Sequence, residues 1–265
     1  MCNLYRMTSS ADAIAQLFAP LDTGGANVPP LHEIFPDYAA PVIVAGEDRR
    51  RLVSMKWGWP PFGSVKRPVT NIRNLASPMW RSALADPARR CVVPVTAFSE
   101  WSAVPDPLTG KRRKHWFAMR NAELFGFAGL WRLTADGPRF AFLTCAANEL
   151  VGRVHPKAMP VILDTPGEAA RWLSVRDEEA AAMQCPLAHE AMAEIEVVDA
   201  GAADLDRVKH LSISSLGASA CDPESDRNLS AQTRNWASGH QPFASRCCKR
   251  LVRGFRRSVA HSAPR

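Results

Sequence analysis

The chain has 265 residues, 46% of them hydrophobic and 22% charged, which is globular composition and excludes a wholly disordered, collagenous or coiled-coil chain. Its formal charge of +7 is uneven: residues 221–265 carry +6 and residues 1–220 only +1, so the basic character belongs to the tail and does not mark the rest as nucleic-acid binding. No apolar run approaches the roughly 20 residues that span a bilayer, and the start lacks the layout of a signal peptide, so a cytoplasmic protein is expected.

Ser9 and Ser10 precede an amphipathic stretch, Ala11–Phe18, with Ile14, Leu17 and Phe18 on one face, which predicts a capped helix. Residues 19–40, rich in Pro, Gly and Asp, predict an irregular loop. Strands are expected at Pro41–Ala45 and Leu52–Trp57, then a breaker-rich loop, Pro60–Pro68. Ser77-Pro78 offers a capping hydroxyl before proline, the start signal for a helix Met79–Leu84. Cys91–Phe98, Trp116–Arg120, Leu124–Trp131 and Phe140–Cys145 read as successive strands of a mainly antiparallel or mixed sheet, or of a barrel. A short helix is expected at Asn148–His155, a strand at Met159–Leu163, helices at Gly167–Leu173 and Asp177–Met183, and a last strand at Ile195–Val198. The pattern is that of a single α+β domain over residues 1–210. Beyond it, residues 211–265 turn to Ser, Asn, Arg and Cys without periodicity and read as an irregular, disordered basic tail.

Seven cysteines, an odd number at irregular spacing, argue against a disulfide framework. No C-x-x-C, H-E-x-x-H, G-x-G-x-x-G or P-loop is present, so neither a metal nor a nucleotide cofactor is expected.

Several residues carry chemistry. Cys2 directly follows the initiator methionine, whose removal would leave an α-amine and a thiol on adjacent carbons. Both groups have reactive fractions at neutral pH, and together they close a five-membered ring on an aldehyde carbon through a Schiff base. The alternative is an incidental cysteine near a flexible terminus. Glu100, in Phe98-Ser99-Glu100-Trp101, stands at a strand end beside apolar residues, where a carboxyl with raised pKa serves acid–base work or a solvated carboxylate serves nothing. His155 exchanges a proton near neutral pH, unless it is a surface or structural histidine. Asn71 offers a donor and an acceptor, and Arg73 and Arg81 suit phosphates, against a reading as loop and surface residues. Trp57 and Trp59 either stack on bases or anchor the core.

In order, Met1-Cys2-Asn3-Leu4-Tyr5, Trp57-Gly58 with Pro60, Asn71-Ile72-Arg73, Arg89-Arg90-Cys91-Val92-Val93-Pro94, Phe98-Ser99-Glu100-Trp101 and His155 followed by Met159-Pro160-Val161-Ile162-Leu163 form a series. The series resembles the SOS-response-associated peptidase (SRAP) family, the abasic-site-processing proteins that crosslink to DNA, over roughly residues 2–200. The resemblance implies Cys2 as the nucleophile joined to the abasic sugar, with Asn71, Glu100 and His155 as further active-site residues. It implies Arg73 and Arg81 as phosphate contacts and Trp57 as a contact beside the damaged base step. The implied partner is single-stranded DNA containing abasic sites, alone or at a junction with duplex, and the implied product is a thiazolidine crosslink that shields the lesion. Departures are a shortened Trp57-Gly58-Trp59-Pro60, no glutamate after Arg73, and Ser99 where tyrosine is common. Two other readings remain: a cysteine peptidase using Cys2, His155 and Asn71, with activity limited to release of Met1 or extending to other peptides, and a non-covalent single-stranded DNA-binding module. Association with the nucleoid follows if DNA is bound, and nothing in the sequence calls for more than a monomer.

Overall fold

The computed structural model describes residues 2–61 and 65–196. The expected boundary near residue 210 and the basic tail 211–265 lie outside them. The chain opens with β1 (Tyr5–Met7), and the hydroxyl of Ser10 accepts from the Ala13 amide to start α1 (Ala11–Leu17), which buries Ile14. β2 (Leu21–Asp22) and β3 (Leu31–Ile34) follow, then β4 (Ala39–Val44), β5 (Arg50–Trp57), β6 (Asn71–Ile72) and α2 (Pro78–Ala85). Next come β7 (Arg90–Val95), β8 (Ala97–Trp101), β9 (Lys114–Met119), β10 (Phe125–Thr134) and β11 (Gly137–Cys145). α3 (Glu149–Gly152), β12 (Met159–Pro160), β13 (Ile162–Leu163), α4 (Pro166–Ser174), α5 (Asp177–Ala182) and β14 (Met192–Ile195) complete the described chain.

The strands make two assemblies. β11, β10, β7, β4 and β5 are antiparallel neighbours in that order, and β5 then runs parallel to β11 at Arg139↔Lys56 and Phe140↔Trp57, which closes a five-stranded barrel. Closure leaves these five strands no free edge within the ring. The second assembly is an antiparallel sheet in the order β14-β9-β8-β1-β3. The fold is thus α+β with a barrel core and short helices, as the sequence pattern predicts.

Four local expectations need correction. The 19–40 stretch is not wholly irregular, because Leu31–Ile34 pairs with β1 as β3. The apolar run Cys91–Phe98 is not one strand. It breaks at Thr96, sending β7 into the barrel and β8 into the second sheet. The corner is pinned by the Thr96 amide, which donates to the Arg6 carbonyl at 2.9 Å, and by its hydroxyl, which donates to the same carbonyl at 3.2 Å. Met159–Leu163 likewise divides, β12 pairing with β11 and β13 with β10. Ser77 occupies the cap position of α2 but its side chain makes no capping bond.

An aromatic cluster joins the two assemblies. Trp57 is stacked on Phe142 with centroids 5.1 Å apart, and the edge of Tyr5 meets Trp57 at 5.1 Å. Phe127 lies 4.9 Å from Phe142 and 5.7 Å from Phe98. Tyr5 and Phe98 come from the sheet, Trp57, Phe127 and Phe142 from the barrel, and all are buried. Gly58 follows Trp57 at φ 111°, where a Cβ would stand 2.7 Å from the Pro68 side chain, so only glycine lets the chain leave the barrel there.

Trp57 therefore belongs to the core, and its fully buried indole offers no face to a base. Trp57→Ala is expected to cost about 3–5 kcal/mol of stability, the usual range for deleting a buried indole, read as a fall in urea midpoint. A loss below about 1 kcal/mol would mean that the ring is not part of the core.

Candidate functional site

The site forms where the chain start meets β6 and the end of β8. Cys2 is 1% exposed, its thiol donating to the Leu4 carbonyl at 3.5 Å, while the Ser99 amide donates to that same carbonyl at 3.0 Å. Asn71, at the start of β6, donates its Nδ2 to the Cys2 carbonyl at 2.9 Å and to the Thr70 hydroxyl at 2.8 Å. Its buried Oδ1 has no hydrogen-bond partner among the described residues, and an orphan acceptor of this kind marks a place for a ligand donor. Trp57, though no ligand contact, positions this strand: its Nε1 donates to the Thr70 carbonyl at 3.2 Å.

Glu100 is 2% exposed. Burial pushes its carboxyl up to about 7, against an opposing pull from the charge of the amino terminus. Burial also holds the Cys2 thiol well above its ordinary range, and the negative charge of Glu100 adds to the shift. Cys2 and Glu100 thus share one electrostatic environment. At neutral pH the thiol is protonated and the carboxyl is divided between its two forms, which suits it to accept and return a proton. His155 lies on the turn after α3, half-buried, its amide bonded to the Val151 carbonyl at 2.8 Å. Burial first, then the charges of the amino terminus and Lys157, hold its imidazole below the usual histidine range, so it is mostly neutral at pH 7. Arg73 and Arg81 are exposed, with Arg81 Nη2 donating to the Ala76 carbonyl at 3.3 Å.

The structure brings in two groups that no motif signals. Gln184, just past α5, donates its Nε2 to the Thr144 carbonyl at 2.8 Å and the Arg73 carbonyl at 2.9 Å, with the Ile72 carbonyl at 3.4 Å. β6 is only two residues long and pairs with β11 alone, so this amide clamps the segment that carries Asn71 and Arg73. His115 is the direct cross-strand partner of Glu100, and its Nδ1 lies 2.7 Å from Glu194 Oε1. Such contacts join residues far apart in the chain and leave no local pattern. Among the described residues no group of three or more His, Cys, Asp or Glu side chains is placed to hold a metal ion, and no helix is long and apolar enough to cross a membrane.

Barrel, sheet and buried cysteine together define a class of small α+β protein whose chain start is packed into the interior and supplies the central side chain of the site. Residues 1–201 match the SOS response associated peptidase (SRAP) family, and the chain belongs to that family. Membership associates it with the response to DNA damage. Solved structures similar in fold include a protein from Bordetella bronchiseptica, with 24% identity, TM-score 0.59 and coverage of 74% of this chain and 100% of that one. Another is a protein from Bacteroides thetaiotaomicron, with 21% identity, TM-score 0.60 and coverage of 75% and 93%. A third is a phage-related protein from B. bronchiseptica, with 19% identity, TM-score 0.59 and coverage of 75% and 95%. None of the curated proteins matches the sequence.

Because the folded pKa of Glu100 lies above the ordinary 4.5, its contribution to stability is fully present below about pH 4.5 and is lost as pH rises through about 7. Glu100→Gln removes that loss. The variant should be close to wild type in unfolding free energy at pH 5 and exceed it at pH 8.5 by on the order of 2 kcal/mol. A difference that does not change with pH would overturn the assignment. Gln184→Leu should speed hydrogen exchange at the amides of residues 71–73 by about tenfold or more, with a much smaller effect in β10. Unchanged exchange there would show that β6 holds its place without the clamp.

Proposed function

We propose that the protein recognises abasic sites in single-stranded DNA and captures them covalently through Cys2 once Met1 has been removed. The observation that carries this reading is the junction of three groups: Cys2 with its carbonyl held by Asn71 at 2.9 Å, and Glu100 with a pKa near neutrality acting on the same thiol. In its open form an abasic sugar presents an aldehyde. The freed α-amine attacks C1′ and water leaves, giving a Schiff base. The thiol then adds across the C=N bond, its proton passing to Glu100 and from there to the nitrogen. The product is a thiazolidine, and no oxidant or reductant is consumed. The buried, protonated thiol supports this order, since the amine is the group available first and the thiol needs a base beside it. Asn71 Oδ1 offers an acceptor for the amine or a sugar hydroxyl. His155, neutral near pH 7, is suited to take a proton during ring opening. Arg73 and Arg81 hold phosphates and orient the sugar.

The peptidase reading is less well supported. A papain-like cysteine is activated by a depressed thiol pKa, whereas burial here moves Cys2 the other way. Asn71 spends its donor on Cys2 and Thr70. Proteolysis confined to release of Met1 is compatible with the site.

The test is incubation with an abasic oligonucleotide, denaturation and a gel. The mature protein should give a shifted band, and Cys2→Ala should give none while keeping much of its affinity for DNA. Glu100→Gln and His155→Ala should slow adduct formation or reversal by about 100-fold, the scale of lost acid–base catalysis. A denaturation-resistant band from Cys2→Ala would refute the thiazolidine. Equal retention of abasic and intact strands with no band would leave a binding module.

A further inference from the structure

We infer that the loop between β8 and β9, residues 102–113, which follows Glu100-Trp101 directly, is a second phosphate-holding surface, and that its partner is the backbone of an unpaired nucleic-acid strand. The inference rests on the DNA-directed reading above and extends it to residues that no motif marks. Arg73 and Arg81 come from the segment that follows Asn71. The loop carries three successive exposed cations, Lys111, Arg112 and Arg113. Its single carboxylate, Asp106, accepts at Oδ1 from the amides of Leu108, 2.9 Å, and Thr109, 3.0 Å, and offsets one of the three positive charges, which leaves the loop at a formal +2.

The loop is tied to the site. Ser102 N donates to the Arg113 carbonyl at 2.9 Å, and Ala103 N donates to the Val154 carbonyl at 3.1 Å, one residue before His155. Arg112 is committed to this framework, since its Nη1 donates to the Ser102 carbonyl at 2.6 Å and also to the Ala103 carbonyl. Lys111 and Arg113 are exposed, with side chains outside that framework, Arg113 lying within the field of Asp106. The same loop exposes Val104 at 73% and Leu108 at 95%. Cations interleaved with exposed apolar groups match a strand that presents phosphates and unstacked base faces together.

The test uses the full chain with Lys111→Ser and Arg113→Ser combined, leaving Arg112 in place, and in parallel Leu108→Ser. An intact single-stranded oligonucleotide is titrated across a salt series. Loss of two phosphate contacts should weaken binding about 5- to 10-fold and make the slope of log K against log salt shallower by about 1.4. Leu108→Ser should weaken binding and leave the slope unchanged. Adduct yield on saturating abasic DNA should stay at the wild-type level in both. Unchanged affinity and slope in the double variant would overturn the inference while leaving the crosslinking reading intact. So would loss of binding to phosphatidylserine vesicles with DNA affinity retained, which would assign the loop to an anionic lipid surface. If the unaltered protein forms no adduct yet the double variant still shows the affinity and slope changes, the loop assignment stands and the crosslinking reading falls.

Discussion

The packing of Tyr5 is the constraint on which the site depends. Chain termini are ordinarily the loosest part of a domain, and a side chain at position 2 would be expected to share that freedom. Here Leu4 and Tyr5 are both buried, and the Tyr5 ring meets Trp57, Phe127 and Phe142 edge-on. β1 is laddered on both sides, to β3 and to β8. Cys2 is thus three residues from one of the most tightly held points of the protein. For the nucleophile role proposed for Cys2 such an anchor is needed, because orientation is where much of the gain from bringing reactants together arises.

Barrel and sheet divide the remaining tasks. The barrel, closed by the parallel pairing of β5 with β11, supplies a dry aromatic wall. The sheet supplies Glu100 and the corner at Thr96 that turns β8 toward the chain start. Burial explains why both Cys2 and Glu100 are shifted toward their neutral forms. The helices sit outside this arrangement and act by holding backbone. Trp172 of α4 donates its Nε1 to the Cys91 carbonyl at 2.9 Å, and Gln184, just past α5, clamps β6. Two short segments, β6 and the turn after α3, then bring in Asn71 and His155.

Much of this was legible in the sequence because it rests on local patterns. Ile14 and Phe18 at helical spacing after Ser10 marked α1, and the apolar runs marked most of the barrel strands. Cys2, Asn71 and Glu100 were legible as an ordered series. What was not legible depends on distant partners. The run Cys91–Phe98 is apolar at every position but Thr96, because both of its halves are buried, and a single threonine does not signal that the chain turns there from one assembly to the other. Leu31–Ile34 is a strand because β1 lies beside it, although its surroundings are rich in turn formers. Trp57 looked equally suited to stacking on a base or to packing, and only the ring of Phe142 against it decides. Gln184 resembles any helix-end glutamine until its three carbonyl neighbours are seen.

The bond from the Cys2 thiol to the Leu4 carbonyl has a chemical consequence of its own. Oxidants and alkylating electrophiles attack the thiolate and need access to the sulfur. A sulfur that is sealed from solvent, holds its proton and gives its hydrogen bond to a carbonyl that already accepts from the Ser99 amide meets neither requirement. Peroxide should therefore react slowly with this cysteine.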